Sequence, residues 1–106
     1  MQLEDLFIKI NDISRLMYGN DIKEAFNMMA EYMPYITQYM NEFVNNIPEY
    51  NRLGANLPQD IVIIQIKNLL DGIENKDVLL IADTLKYEIL PSLQVYDEIL
   101  AQILDY

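Results

Sequence analysis

Hydrophobic residues recur along this chain at steps of three and four, which is the period of one face of an α-helix. The longest apolar stripe follows a turn at Gly72–Asp77 and predicts a helix 4 from Val78 to Tyr106. Its positions are Val78, Ile81, Leu85, Ile89, Leu93, Tyr96, Leu100 and Ile103. Because so long a stripe must be covered by other segments, it predicts a helical bundle.

Three shorter patterns of the same period predict helices upstream, at about Gln2–Met17 (helix 1), Ile22–Asn45 (helix 2) and Pro58–Ile73 (helix 3). Gly19 suits a left-handed cap after helix 1, and Asn20 or Asp21 suits the start of helix 2. Residues 46–58 are rich in Asn, Pro and Gly and predict a linker. Within helix 3, the run Ile61–Ile64 resembles a strand, but the apolar period continues beyond it and favours a helix.

The two halves of the chain match each other at a shift of 56 or 57 residues, with Asp21 paired to Asp77 and Pro34 to Pro91. Duplication and the common demands of a helical hairpin both explain the match. The predicted fold is therefore all-α: one domain, residues 1–106, forming a four-helix bundle from two αα-hairpins. Hairpin 1 covers about 1–46 and hairpin 2 about 58–106. The long helices 2 and 4 are expected to kink at their interior prolines.

Composition limits the class of protein. Hydrophobic residues at 52% and charged residues at 23% are typical of a globular domain. No apolar run approaches the roughly 20 residues of a membrane span, and Met1 leads directly into amphipathic sequence without a signal peptide, so a cytoplasmic protein is expected. The net charge of −10 disfavours binding to nucleic acid and to anionic membranes.

The side chains of common catalysts are missing. The chain has no His and no Cys, so Ser14 and Ser92 have no triad partner, and no glycine-rich phosphate loop or cofactor motif is present. Two carboxylate groups merit attention as Mg²⁺ ligands, namely Asp83 with Glu88, and Asp71 with Glu74 and Asp77. Their positions beside Lys86 or around a turn favour ion pairing and helix capping instead. No enzyme activity, cofactor, metal or small-molecule substrate is inferred, and a hydrolase that uses only carboxylates is kept as an alternative.

Helix 2 carries more methionine and tyrosine than one buried face uses. Both residue types suit contact with a partner helix, because methionine adapts its shape and tyrosine offers a large ring with a polar tip. The predicted partner-binding residues are Met28, Tyr32, Tyr35, Tyr39 and Met40. The competing interpretation is a loosely patterned core helix. We therefore expect a non-enzymatic interaction module that forms a homodimer or binds a protein partner, or else a structural subunit of one obligate complex.

The stretch Asn75–Pro91 has an N-K-D turn, the core L-I-A-D-T-L-K-Y-E and a following proline. It resembles small uncharacterised helical proteins of low-GC Gram-positive bacteria. The layout of the two hairpins is also similar to that of flagellin-export chaperones, which implies a chaperone-like role.

Overall fold

The computed structural model describes residues 1–104, which are all-α and contain no strand. The helices are α1 (Leu3–Tyr18), α2 (Ile22–Arg52), α3 (Gln59–Glu74), α4 (Val78–Thr84) and α5 (Leu90–Leu104). A π-helical turn, Leu85–Ile89, joins α4 to α5 without a break. These three pieces form one rod, so this part of the chain has the four predicted helices. The predicted end of helix 4, including Tyr106, lies outside the described residues.

Four rods, namely α1, α2, α3 and the continuous unit of α4, the π turn and α5, contribute to a single apolar core. α1 packs against α2, α4 and α5, while α3 packs against α4 and α2. The Phe43 ring of α2 stacks on Tyr96 of α5 with 5.2 Å between ring centroids. The largest fully buried side chains come from every rod: Leu6, Ile10, Ile13, Ile36, Met40, Phe43, Ile47, Leu69, Ile81, Leu85, Ile89 and Leu93. Burial of each such side chain contributes about 1.5–3 kcal/mol to folding.

Helix α2 is longer than its sequence predicts. It runs through Arg52 and includes Pro48, so the first part of the predicted linker at 46–58 is helical and the predicted end at Asn45 is wrong. The reason is burial, because Ile47 and Tyr50 both pack in the core and outweigh the local preference of Asn and Pro for a loop.

The turns after α1 and after α3 have the same backbone motif. In the first, Asp21 N–H donates to the Leu16 carbonyl at 2.8 Å, and Asn20 has a φ of 63°. In the second, Asp77 N–H donates to the Gly72 carbonyl at 2.9 Å, and Lys76 has a φ of 51°. Both follow the Schellman pattern of helix ends.

This geometry corrects the prediction for the first turn. Gly19 has a φ of −79°, and the left-handed residue is Asn20. The N-cap residues also differ: the Asp77 carboxylate accepts a hydrogen bond from Leu80 N–H at 3.1 Å, while Asp21 occupies the same position without a side-chain bond.

The π-helical turn ends at Ile89, two residues before Pro91. Proline has no N–H to donate to the carbonyl four residues earlier, which belongs to Tyr87 within this turn. The wider hydrogen-bonding of a π turn accommodates that missing donor. Lys86 and Tyr87, both in this turn, are exposed.

Candidate interaction surface

Four of the five predicted partner-binding residues, Met28, Tyr32, Tyr35 and Tyr39, share one face of α2, which we call the tyrosine face. Tyr32 and Tyr39 contact the N-terminal part of the chain. The rings of Tyr32 and Tyr35 lie 6.5 Å apart between centroids. Lys9 of α1 places its Nζ 5.5 Å from the Tyr32 centroid, a cation–π contact. Tyr39 donates its hydroxyl proton to the carbonyl of Met1. Burial raises the pKa of Tyr39, and the carboxylate of Glu42 raises it further.

The fifth residue, Met40, is only 1% exposed and packs in the core. Its inclusion among surface residues is therefore corrected: the side chain points at the centre of the bundle because it shares a face with Ile36 and Phe43. Tyr35, at 37% exposure, is the most open member of the tyrosine face. Part of the surface of Tyr32 and of Tyr39 is already in contact with Lys9 and Met1, respectively.

A second apolar surface, which the sequence analysis did not single out, lies between α2 and α3. One pocket of about 170 Å³ is lined by Phe26, Met29, Ala30, Met33 and Ile73. A smaller pocket of about 30 Å³ beside it shares Met33 and is also lined by Thr37, Ile66 and Leu70. We call these two pockets together the α2–α3 groove.

The outer wall of this groove is helix α3. Leu70 lines the groove and is 51% exposed, and Ile63, two turns earlier on the same face, is 47% exposed. Ile61 and Ile64 are also exposed, on another side of α3. The signal for this surface was present in the Ile61–Ile64 run, because four consecutive apolar residues cannot all face one core from a helix.

Three of the five carboxylates weighed as metal ligands, Asp77, Asp83 and Glu88, have other partners. Asp83 accepts the hydroxyl proton of Tyr18, and Glu88 accepts a hydrogen bond from the Asn68 amide at 3.2 Å. Lys86, expected to pair with these acids, forms no ion pair among residues 1–104 and instead lies over aromatic rings. Within that same range no three acidic side chains are grouped so as to hold a metal ion.

Other polar groups have structural roles. Ser92 donates its hydroxyl proton to the Gln65 side-chain oxygen, which ties α5 to α3. Tyr96 donates to the Glu42 carboxylate at 3.4 Å. Burial, the neighbouring Tyr50 and the Glu42 carboxylate raise the pKa of Tyr96 to about 12. These contacts hold the ring of Tyr96 against α2.

No helix in the described part of the chain is both long and apolar enough to cross a membrane. Comparison with curated proteins and with solved structures gives no match. A family model does match residues 3–99, and it is described as a domain of unknown function, DUF8042. Since the match spans nearly all of the sequence, the chain belongs to the DUF8042 family.

Proposed function

We propose that the protein is a non-enzymatic interaction module that binds an apolar helix face, either of a second copy or of a helical partner. The observation that carries this proposal is the α2–α3 groove, with half-exposed Leu70 in its lining and half-exposed Ile63 on the same face of α3. An amphipathic helix laid into such a groove buries apolar side chains at a spacing of three or four residues. Contiguous apolar surface of this kind is typical of an interaction site.

The groove is suited to an adaptable contact. Met33 lines both pockets, and its flexible side chain fills irregular space around different partners. The tyrosine face offers a second contact area on the opposite flank of α2, where Tyr35 is open. With a net charge of −10, the surrounding surface favours a helix with basic residues at its edges.

The hairpin organisation and the proline kinks belong to the same proposal. Contacts between α1 and α2 and between α3 and α4 support the two hairpins. The π turn before Pro91 supports a bend in the fourth rod. In α2, Thr37 donates its hydroxyl proton to the Met33 carbonyl at 2.8 Å, close to Pro34. Such bends would set the width of the α2–α3 groove.

Two narrower roles fit the same surface: a chaperone-like module that covers a helical terminus of a client, and a structural subunit that forms one obligate complex. No arrangement in the described residues favours the carboxylate-only hydrolase. The interaction module is therefore the function that we develop.

The test is a pair of charge substitutions at similarly exposed apolar positions. Leu70→Glu places a carboxylate in the wall of the groove, whereas Ile8→Glu places one on the solvent side of α1, where Ile8 is 60% exposed. Neither position is in the core, so circular dichroism and unfolding midpoints should change little for both. We expect Leu70→Glu to weaken association at least tenfold, because a carboxylate cannot be buried unpaired in an apolar contact.

Association is measured as solution mass by light scattering over a concentration series, and as retention of proteins from the source cell on immobilised chain. A dimer or a retained helical partner that is lost in Leu70→Glu and kept in Ile8→Glu supports the groove. Loss in Tyr35→Glu alone moves the site to the tyrosine face. A strict monomer that retains no partner, or association unaffected by both Leu70→Glu and Tyr35→Glu, refutes the proposal.

A further inference from the structure

A polar cleft lies on the far side of the molecule from the α2–α3 groove, between α1 and the π-helical turn. It encloses about 340 Å³ and is lined by Asn11, Ser14, Arg15, Tyr18 and Lys86. That volume falls in the usual range of small-molecule sites. Four of the lining residues follow one face of α1, and the fifth, Lys86, is brought to them by the π turn.

The lining of this cleft is rich in hydrogen-bond donors. Only seven residues of the chain are basic against seventeen acidic ones, yet two cations and no carboxylate line the cleft. Arg15 uses one terminal nitrogen on Asp12 at 2.8 Å, which leaves its other N–H groups available. Asp12 and Asp83 are bonded to the lining residues Arg15 and Tyr18 and reduce the local positive charge, so an anion depends on the remaining N–H groups of Arg15 and on the ammonium of Lys86.

Lys86 is held in place by aromatic rings and not by an acid. Its Nζ lies 5.5 Å from the centroid of Tyr18 and 5.2 Å from that of Tyr87. Asp83, the nearest acid along α4, instead accepts the hydroxyl proton of Tyr18. Cation–π contacts position the ammonium while leaving its N–H donors free for a ligand.

Ser14 adds an observation that does not depend on charge. The residue is 2% exposed, and its Oγ has no hydrogen-bond partner among the described residues. Buried hydroxyls normally have a partner, since an unsatisfied one destabilises the fold. Ser14 lines the cleft but its Oγ is shielded from solvent, so a ligand there accepts its proton once a rotation of the side chain turns the hydroxyl into the cleft. The neighbouring π turn agrees with this, as such turns are frequent at functional sites.

We infer that this cleft binds a small molecule through an anionic group, a carboxylate or a phosphate. Arg15 and Lys86 supply the charge, Ser14 and Asn11 donate neutral hydrogen bonds, and the ring of Tyr18 forms an apolar wall. The inference is independent of the interaction proposed for the α2–α3 groove.

Thermal unfolding tests the site, with inorganic phosphate and succinate as separate probes at constant ionic strength set by sodium chloride. Constant ionic strength matters because screening alone stabilises a chain of this net charge. At ten times its dissociation constant, a probe bound only by the folded state should raise Tm by about 6 °C. The probe that acts distinguishes a phosphate ligand from a carboxylate ligand.

Lys86→Gln should weaken binding about tenfold, as expected for a charge-assisted hydrogen bond. Lys67→Gln, which removes the same charge from α3, should not. Ser14→Ala should have two opposite effects: a higher Tm without probe, because the unpartnered hydroxyl is gone, and a smaller rise with it. No rise with either probe, or a rise that survives Lys86→Gln, overturns the inference.

Discussion

Asp77 and Asp21 allow the value of one capping hydrogen bond to be measured within a single protein. Both residues precede a helix, follow the same Schellman turn and carry the same charge. Only Asp77 accepts a side-chain hydrogen bond, from Leu80 N–H at 3.1 Å. Substitution of either aspartate by alanine removes an equal favourable interaction with the helix dipole. The difference between the two variants therefore isolates the capping bond.

Loss of an N-cap hydrogen bond typically costs about 1 kcal/mol. We expect Asp77→Ala to be less stable than Asp21→Ala by that amount, which corresponds to about 4 °C in Tm for a domain of this size. Asp77→Asn keeps an acceptor without the charge and should recover most of the loss. The measurement is urea unfolding followed by helical circular dichroism at neutral pH. Equal destabilisation in Asp77→Ala and Asp21→Ala would refute the reasoning.

Three further predictions concern strain, an unpartnered hydroxyl and pH. Lys76→Gly should be about 1 kcal/mol more stable than Lys76→Ala in urea unfolding, because the φ of 51° costs every residue with a Cβ; equal midpoints would contradict this. Thr84→Val should raise Tm relative to the wild type, since the Thr84 hydroxyl is fully buried without a partner in residues 1–104 and its desolvation costs about 1–3 kcal/mol; a lower Tm would contradict this. Tyr96 should make stability fall with pH: its pKa is raised from 10.0 to about 12, so its contribution is complete below pH 10.0 and lost as pH rises towards about 12. Urea midpoints across that range should fall less steeply in Tyr96→Phe, and identical slopes would show that another group is responsible.

The sequence alone determined the class of fold, the starts of the helices and the positions of two turns. A period of three to four apolar residues is a local property of the chain, and it placed all four helices with starts close to those observed. The turn signals at Asn20–Asp21 and Lys76–Asp77 were equally local, as was the capping role of Asp77. The resemblance to an uncharacterised protein family is confirmed in part, because the matching family model is a domain of unknown function.

Tertiary structure decided what happens where local preferences conflict. Residues 46–52 carry loop-forming Asn and Pro, but burial of Ile47 and Tyr50 keeps them helical, and this energy depends on α5 and the rest of the core. Met40 and Tyr35 are both plausible surface residues by composition. Met40 shares a face with Ile36 and Phe43, so the apolar period already indicates that it is buried. Tyr35 lies beside that face, and the approach of the other helices leaves it 37% exposed.

The two candidate sites also depend on approach between helices. The α2–α3 groove is lined by residues of two helices that are distant in sequence, among them Met33 of α2 and Leu70 of α3. The polar cleft joins α1 to Lys86, residues far apart in the sequence, through a π turn that no periodic pattern indicates. A sequence states which faces are apolar and which are polar; the distances between those faces are set by packing of the whole core, and those distances create a site.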